Sequence, residues 1–118
     1  FPHLYRDLAK HGVDILAIPA AFARVTGEAH WHILLRARAI ENGAFVIAPA
    51  QCGEHPGQKR TFGHAMIIDP WGTILAEAGD EPCVIMARLN MQRVIEVRTN
   101  MPTLTHDRHY QPPPDYII

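Results

Sequence analysis

Apolar positions follow two different periods along the chain, and the switches between them mark its elements. In residues 1–11 the apolar side chains Phe1, Leu4, Tyr5 and Leu8 fall on one helical face, and Gly12 suits the left-handed stop that ends a helix. Residues 13–19 (Val-Asp-Ile-Leu-Ala-Ile-Pro) are short, β-branched and nearly all apolar, which predicts a strand buried on both faces. Residues 20–27 read as a loop, with Thr26 as N-cap of the next helix. That helix, 28–42, sets Trp31, Leu34, Leu35 and Ile40 among Arg36, Arg38 and Glu41 and stops at Gly43. Residues 44–50 give a second buried strand. Two strands joined by one helix make a βαβ unit, so the strands are expected as parallel neighbours with a right-handed crossover.

The second half changes character. Residues 51–60, with Gly53, Pro56 and Gly57, read as a polar loop. A strand over 62–68 meets Asp69-Pro70-Trp71-Gly72, which carries type I turn preferences at its first, second and fourth positions. Residues 73–78 return as its hairpin partner, and 83–89 predict a third strand. Asn90 suits the cap of a last helix, 91–101, with Val94, Ile95 and Val97 facing inward and Pro102 as its stop. Residues 103–118, with Pro112-Pro113-Pro114, read as an extended arm with no core of its own. The expected organisation is therefore a domain over 1–102 and an arm over 103–118.

Composition narrows the class. Apolar residues make up 47% of 118, which is globular rather than disordered. Eleven Lys and Arg against twelve Asp and Glu leave a net charge of -1 with no basic face, so no nucleic-acid partner is expected. The longest apolar stretch, 44–50, falls far short of the ~20 residues of a membrane helix, and the first residues form no signal-peptide core. No membrane partner is expected, and a cytoplasmic location is. Cys52 and Cys83 are too few and too far apart for a disulfide framework.

The chemistry on view is sparse. Active groups in α/β chains collect at the C-terminal ends of strands, which points to 20–27 and to Gln51-Cys52-Gly53-Glu54-His55. Cys52 as a thiol nucleophile with His55 as its base is the sharp reading of the second; a small packed Cys beside a surface His is the plainer one. Of eight histidines, His30 and His32 sit two apart on a helix and point to different faces. His106 and His109 have only Asp107 beside them, so spacing supports no metal site. With no Gly-x-Gly-x-x-Gly and no P-loop, no cofactor is expected. Trp31 and Trp71 read as core with a ligand-stacking surface as the alternative, Arg36, Arg38 and Glu41 as a solvated face, and Glu28 as a first-turn charge with a site carboxylate as the alternative.

A set of motifs in fixed order goes further. Phe1-Pro2-x-Leu4-Tyr5-Arg6, Pro19-Ala20-Ala21-Phe22, Thr26-Gly27-x-Ala29-His30-Trp31, Arg36-Ala37-Arg38-Ala39-Ile40-Glu41-Asn42 and Gly63-His64-x-Met66-Ile67-Ile68-Asp69-Pro70-Trp71-Gly72 resemble the nitrilase superfamily of carbon–nitrogen hydrolases. Val97-Arg98 and Pro102 continue the match, which is most similar to the Nit-type amidases, the deaminated-glutathione amidase and ω-amidase group. The resemblance implies an α/β fold, the C-terminal part of a four-layer αββα sandwich, in subunits that pair as homodimers or higher oligomers. It implies hydrolysis of a small carboxylate-bearing amide by a Glu base, an oxyanion-stabilising Lys and a Cys nucleophile. In that pattern the Cys precedes the Phe-Pro pair and the Glu and Lys lie further upstream, so neither Cys52 nor Cys83 stands in the nucleophile's place.

By resemblance, then, this chain is the C-terminal half of such an enzyme and is expected to be inactive alone. Phe22, Thr26, Gly27, His30 and Trp31 would border the substrate pocket, and 51–55 its rim. Two departures stand out: His32 replaces an acidic residue usual after His-Trp, and Ala65 replaces a Ser after Gly-His. The rival from another class is a non-enzymatic binding or dimerisation module of the same fold. A third keeps catalysis within the chain on Cys52 and His55. Half a sandwich would leave a sheet face bare, which predicts self-association or instability.

Overall fold

A computed structural model describes residues 1–111, in the order α1 (Pro2–Lys10), β1 (Ile15–Ala17), α2 (Arg24–Asn42), β2 (Phe45–Ala48), β3 (Cys52–His55), β4 (Lys59–Phe62), β5 (Met66–Ile68), β6 (Ile74–Glu77), α3 (Gln92–Asn100) and a 3-10 turn, Thr103–Thr105. The triple-proline run and the end of the expected arm lie outside the described residues. One sheet has the order β1-β2-β5-β6; β3 and β4 form a separate two-stranded ribbon.

The βαβ expectation holds: β1 and β2 are parallel neighbours, with Leu16 opposite Val46. Between them α2 turns a single stripe, Gly27, Trp31, Leu35 and Ala39, toward the sheet. Spaced four apart, these residues stack along one helical face. They meet Leu16, Val46, Ala48, Met66 and Ile68, which alternation puts on one face of the sheet, and Phe62 of β4 closes the cluster. Gly43 ends α2 in the left-handed conformation (φ 54°), as its sequence position suggested.

The helix begins earlier than expected. Ala23 pairs with Thr61 in an isolated bridge and Phe62 N donates to Phe22 O at 2.9 Å, so the β-ribbon fixes the entry and Arg24 starts the first turn. Thr26 is inside the helix, its hydroxyl turned back to Ala23 O at 3.2 Å, and caps nothing.

Four further expectations are corrected. Residues 51–60 are a hairpin rather than a loop: Cys52 pairs with Phe62 and His55 with Lys59, with Gly57 and Gln58 turning at positive φ. The expected strand 62–68 is cut at 63–65 and contributes Phe62 to β4 and Met66–Ile68 to β5. His64 sits there at φ 54°, outside any extended conformation. The Asp69-Pro70-Trp71-Gly72 turn then joins β5 to β6 as expected, with Asp69 Oδ1 accepting from Trp71 N and Thr73 N at 2.9 and 2.8 Å.

The third strand, 83–89, does not form. Its residues make no backbone hydrogen bond to another described residue, yet alternation survives: Val84 and Met86 are 88% and 86% exposed while Ile85, Ala87 and Leu89 are half-buried. The segment is patterned for a sheet but pairs with no strand among the described residues. β1 likewise is not buried on both faces, because Leu16 points to α2 while Ile15 and Ala17, on the opposite face, are exposed.

Helix α3 closes one end of the sheet with Val94 and Val97, while Ile95 faces water, a helical step away from that pair. Arg98 fixes it through Asp14 Oδ1 (2.7 Å) and Val13 O (2.8 Å). The start of the expected arm is docked: Arg6 donates to Glu41 O, Thr103 O and Asp107, and Thr103 Oγ1 donates to Glu41 O.

Candidate functional site

The end of β1, one face of α2 and the N-terminus of α1 converge on a cleft of about 260 Å³ lined by Phe1, Tyr5, Ile18, Phe22, Trp31 and Arg38, together with Leu34 and Leu35. Its walls are aromatic. Phe22 packs on Trp31 with ring centroids 5.2 Å apart, and Arg38 lies over the Tyr5 ring while pairing with Glu41. Trp31 is held in place by its indole N–H, which donates to His64 O at 2.8 Å.

Of the five residues expected at the pocket, the structure brings Phe22 and Trp31 together in this cleft. Gly27 lies one turn before Trp31 but faces Phe62, so closely that a Cβ there would sit 2.5 Å from Phe62 Cγ. Thr26 and His30 are exposed and outside the cleft's lining.

A second cavity, about 340 Å³, is lined by Cys52, His55, His64, Gly79 and Cys83 among others. It holds both cysteines, both free. His55 Nε2, however, is 2.7 Å from Thr61 Oγ1 across the ribbon, so the ring's polar partner is a threonine rather than the Cys52 thiol.

Beside this cavity is an ionisable cluster that no local spacing reveals. His32 on α2, His64 in the break before β5, and Glu77 at the end of β6 meet at one oxygen: His32 Nε2 and His64 Nδ1 lie 2.7 and 2.8 Å from Glu77 Oε1. The other nitrogen of His64 is 3.1 Å from Asp80 Oδ1, and Arg24 reaches the second oxygen of Asp80. Phe62 stacks on the His64 ring at 4.2 Å. Burial raises the Glu77 carboxyl, but hydrogen bonding and charge from His32 and His64 outweigh it and hold the group below its ordinary range. The members are 32 and 13 residues apart in sequence, and only the packing of α2 on the β5–β6 hairpin brings them together.

Comparison with known proteins fits this architecture. Residues 1–99 match the carbon–nitrogen hydrolase family model. A deaminated glutathione amidase from Synechocystis sp. is 56% identical over 106 residues, which is 90% of this chain and 39% of the relative. The NitFhit protein of C. elegans superposes with a TM-score of 0.88 at 40% identity, covering 92% of this chain and 26% of that one. Nit3 of Saccharomyces cerevisiae, a member of branch 10 of the nitrilase superfamily, gives 0.85 at 34% identity over 93% of this chain and 40% of its own. The chain thus spans about two fifths of the curated relative's length.

Proposed function

From the premise that the chain belongs to the carbon–nitrogen hydrolase family, we propose that the protein containing it hydrolyses the amide of a small carboxylate-bearing substrate. The identity with a deaminated glutathione amidase carries this reading, and it makes deaminated glutathione the first substrate to assay. Within such an enzyme these residues supply walls and scaffold. Phe22 and Trp31 form the apolar side of the cleft, beside Phe1. That placement agrees with the family resemblance, which puts the nucleophile a few residues before Phe1-Pro2. Gly27 lets α2 approach the ribbon closely, while Thr26 and His30 stand outside the cleft's lining. A shaped, water-poor wall of this kind orients an acyl group without taking part in bond breaking.

The Glu, Lys and Cys that the family uses match no residues here, so the 118 residues alone are proposed to be inactive. Pairing of subunits belongs to the same reading and draws support from the uncovered sheet face around Ile15 and Ala17. The test is an ammonia-release assay on the purified chain, as it stands and with Cys52→Ala. No turnover in either supports supply of the chemistry from outside these residues. Turnover that disappears in Cys52→Ala would overturn that account in favour of a nucleophile at Cys52, and turnover in both would overturn the catalytic assignment altogether.

A further inference from the structure

We propose that His32, His64 and Glu77 form a binding site for a divalent transition-metal ion of the zinc class. Two imidazole nitrogens and one carboxylate oxygen, all within 4.8 Å of one another, constitute a ligand group among the described residues. Two imidazoles and a carboxylate are a ligand set that zinc and its neighbours accept, with a fourth position left for water or an anion.

Three features go beyond proximity. First, both histidines point at the same carboxylate oxygen, Glu77 Oε1, so their donor atoms already converge. Seating an ion at about 2.0–2.2 Å from each ligand separates the ligand atoms to about 3.3 Å. From 2.7 and 2.8 Å this takes outward shifts of roughly half an ångström, which side chains 24–35% exposed can make. Second, His64 carries an outer partner: with Nε2–H donated to Asp80, the Nδ1 lone pair is presented to the ion. That is the carboxylate–histidine–metal arrangement that fixes a ligand's tautomer and ring angle. Asp80 is itself held by Arg24. Third, the ring of His64 is clamped by stacking on Phe62 and by a backbone whose carbonyl accepts from Trp31, so it is preorganised rather than free to rotate away.

The site differs from the amide chemistry proposed above and does not depend on it. None of its members lines that cleft.

The test is Zn²⁺ binding by the purified chain in competition with a chromophoric chelator. Both cysteines are replaced by Ser so that thiolates do not take the metal. The expected result is one zinc per chain and a raised thermal midpoint, unchanged in His109→Ala. His32→Ala and Glu77→Gln should lose saturable binding. Asp80→Asn should weaken it about 10–100-fold, as loss of an outer-shell partner does. His64→Asn should also lose binding, and Asn keeps a residue that tolerates positive φ. Circular dichroism and the unliganded thermal midpoint confirm that each variant folds. Zinc binding of equal strength in His32→Ala and Glu77→Gln, or no saturable binding by the parent chain, would overturn the site and leave a hydrogen-bonded surface cluster.

Discussion

At the scale of single residues, Gly27 shows how context reverses a rule. Glycine inside a helix normally costs about 1 kcal/mol relative to alanine, so Gly27→Ala would be stabilising on propensity alone. Here the added methyl would meet Phe62 Cγ at 2.5 Å, with the ribbon pinned behind it by the bond from Phe62 N to Phe22 O. Overpacking of that kind costs about 1–3 kcal/mol, and we expect Gly27→Ala to lower the urea midpoint accordingly. Gly79→Ala, where nothing lies within 4 Å, should stay within about 0.5 kcal/mol of the parent. Equal midpoints for the two variants would refute the packing argument. The same dependence on context explains the histidines. Spacing sets His30 and His32 on different faces of α2 and gives His32 no partner, and its partners come from a loop and a strand.

Among elements, what was legible in the sequence is what local periodicity encodes. The body of α2 with Trp31 and Leu35 inward, the β1–α2–β2 unit, the Asp69–Gly72 turn and the glycine stop at Gly43 were readable from local pattern. Gly27 and Ala39, however, complete the buried stripe in place of the expected Leu34 and Ile40, which are exposed. The start of α2, the 52–62 ribbon and the fate of 83–89 were not readable, because backbone pairing at a distance decides them. Family resemblance pointed to Phe22 and Trp31, which line the cleft, whereas the His32–His64–Glu77 cluster left no local signal. The docking of the 103–107 segment on α1 has a pH consequence. Hydrogen bonds from Arg6 and then Lys10 hold the Asp107 carboxyl far below its usual range. A carboxyl depressed on folding contributes stability above its unfolded pKa of about 3.9, and that contribution is lost as pH falls. The thermal midpoint of Asp107→Asn should therefore lie below that of the parent from pH 5 to 8, with the gap closing below pH 4. Added salt should narrow it as well, since the pair is exposed. A gap that persists unchanged to pH 2 would show that the carboxylate charge is not what docks the segment.

At the scale of the whole molecule, the chain is a slab measuring 45 × 44 × 20 Å. Its radius of gyration of 16.2 Å exceeds the roughly 13–14 Å of a compact domain of this length. Its accessible surface of 8243 Å² exceeds by about 1,800 Å² that of a compact protein of the same mass. An excess of that size, with Ile15 on a bare sheet face and Val84 and Met86 on an unpaired extended segment, is what association covers. We expect sedimentation of the chain at micromolar concentration to show dimers or larger species, and Ile15→Lys combined with Val84→Glu to shift them toward monomer. A stable monomer across the concentration range would refute this. The slab's thinness also limits where slow motions can be stored. Among the described residues, only β2 and β5 are flanked by strands on both sides. Amide hydrogens of Val46 and Ile68 should be the last to exchange with deuterium, because only global unfolding releases them. Those of 83–89, bonded to no other described backbone group, should exchange within the dead time. Timed exchange on this chain should therefore show one narrow band of protection across the middle of the sheet.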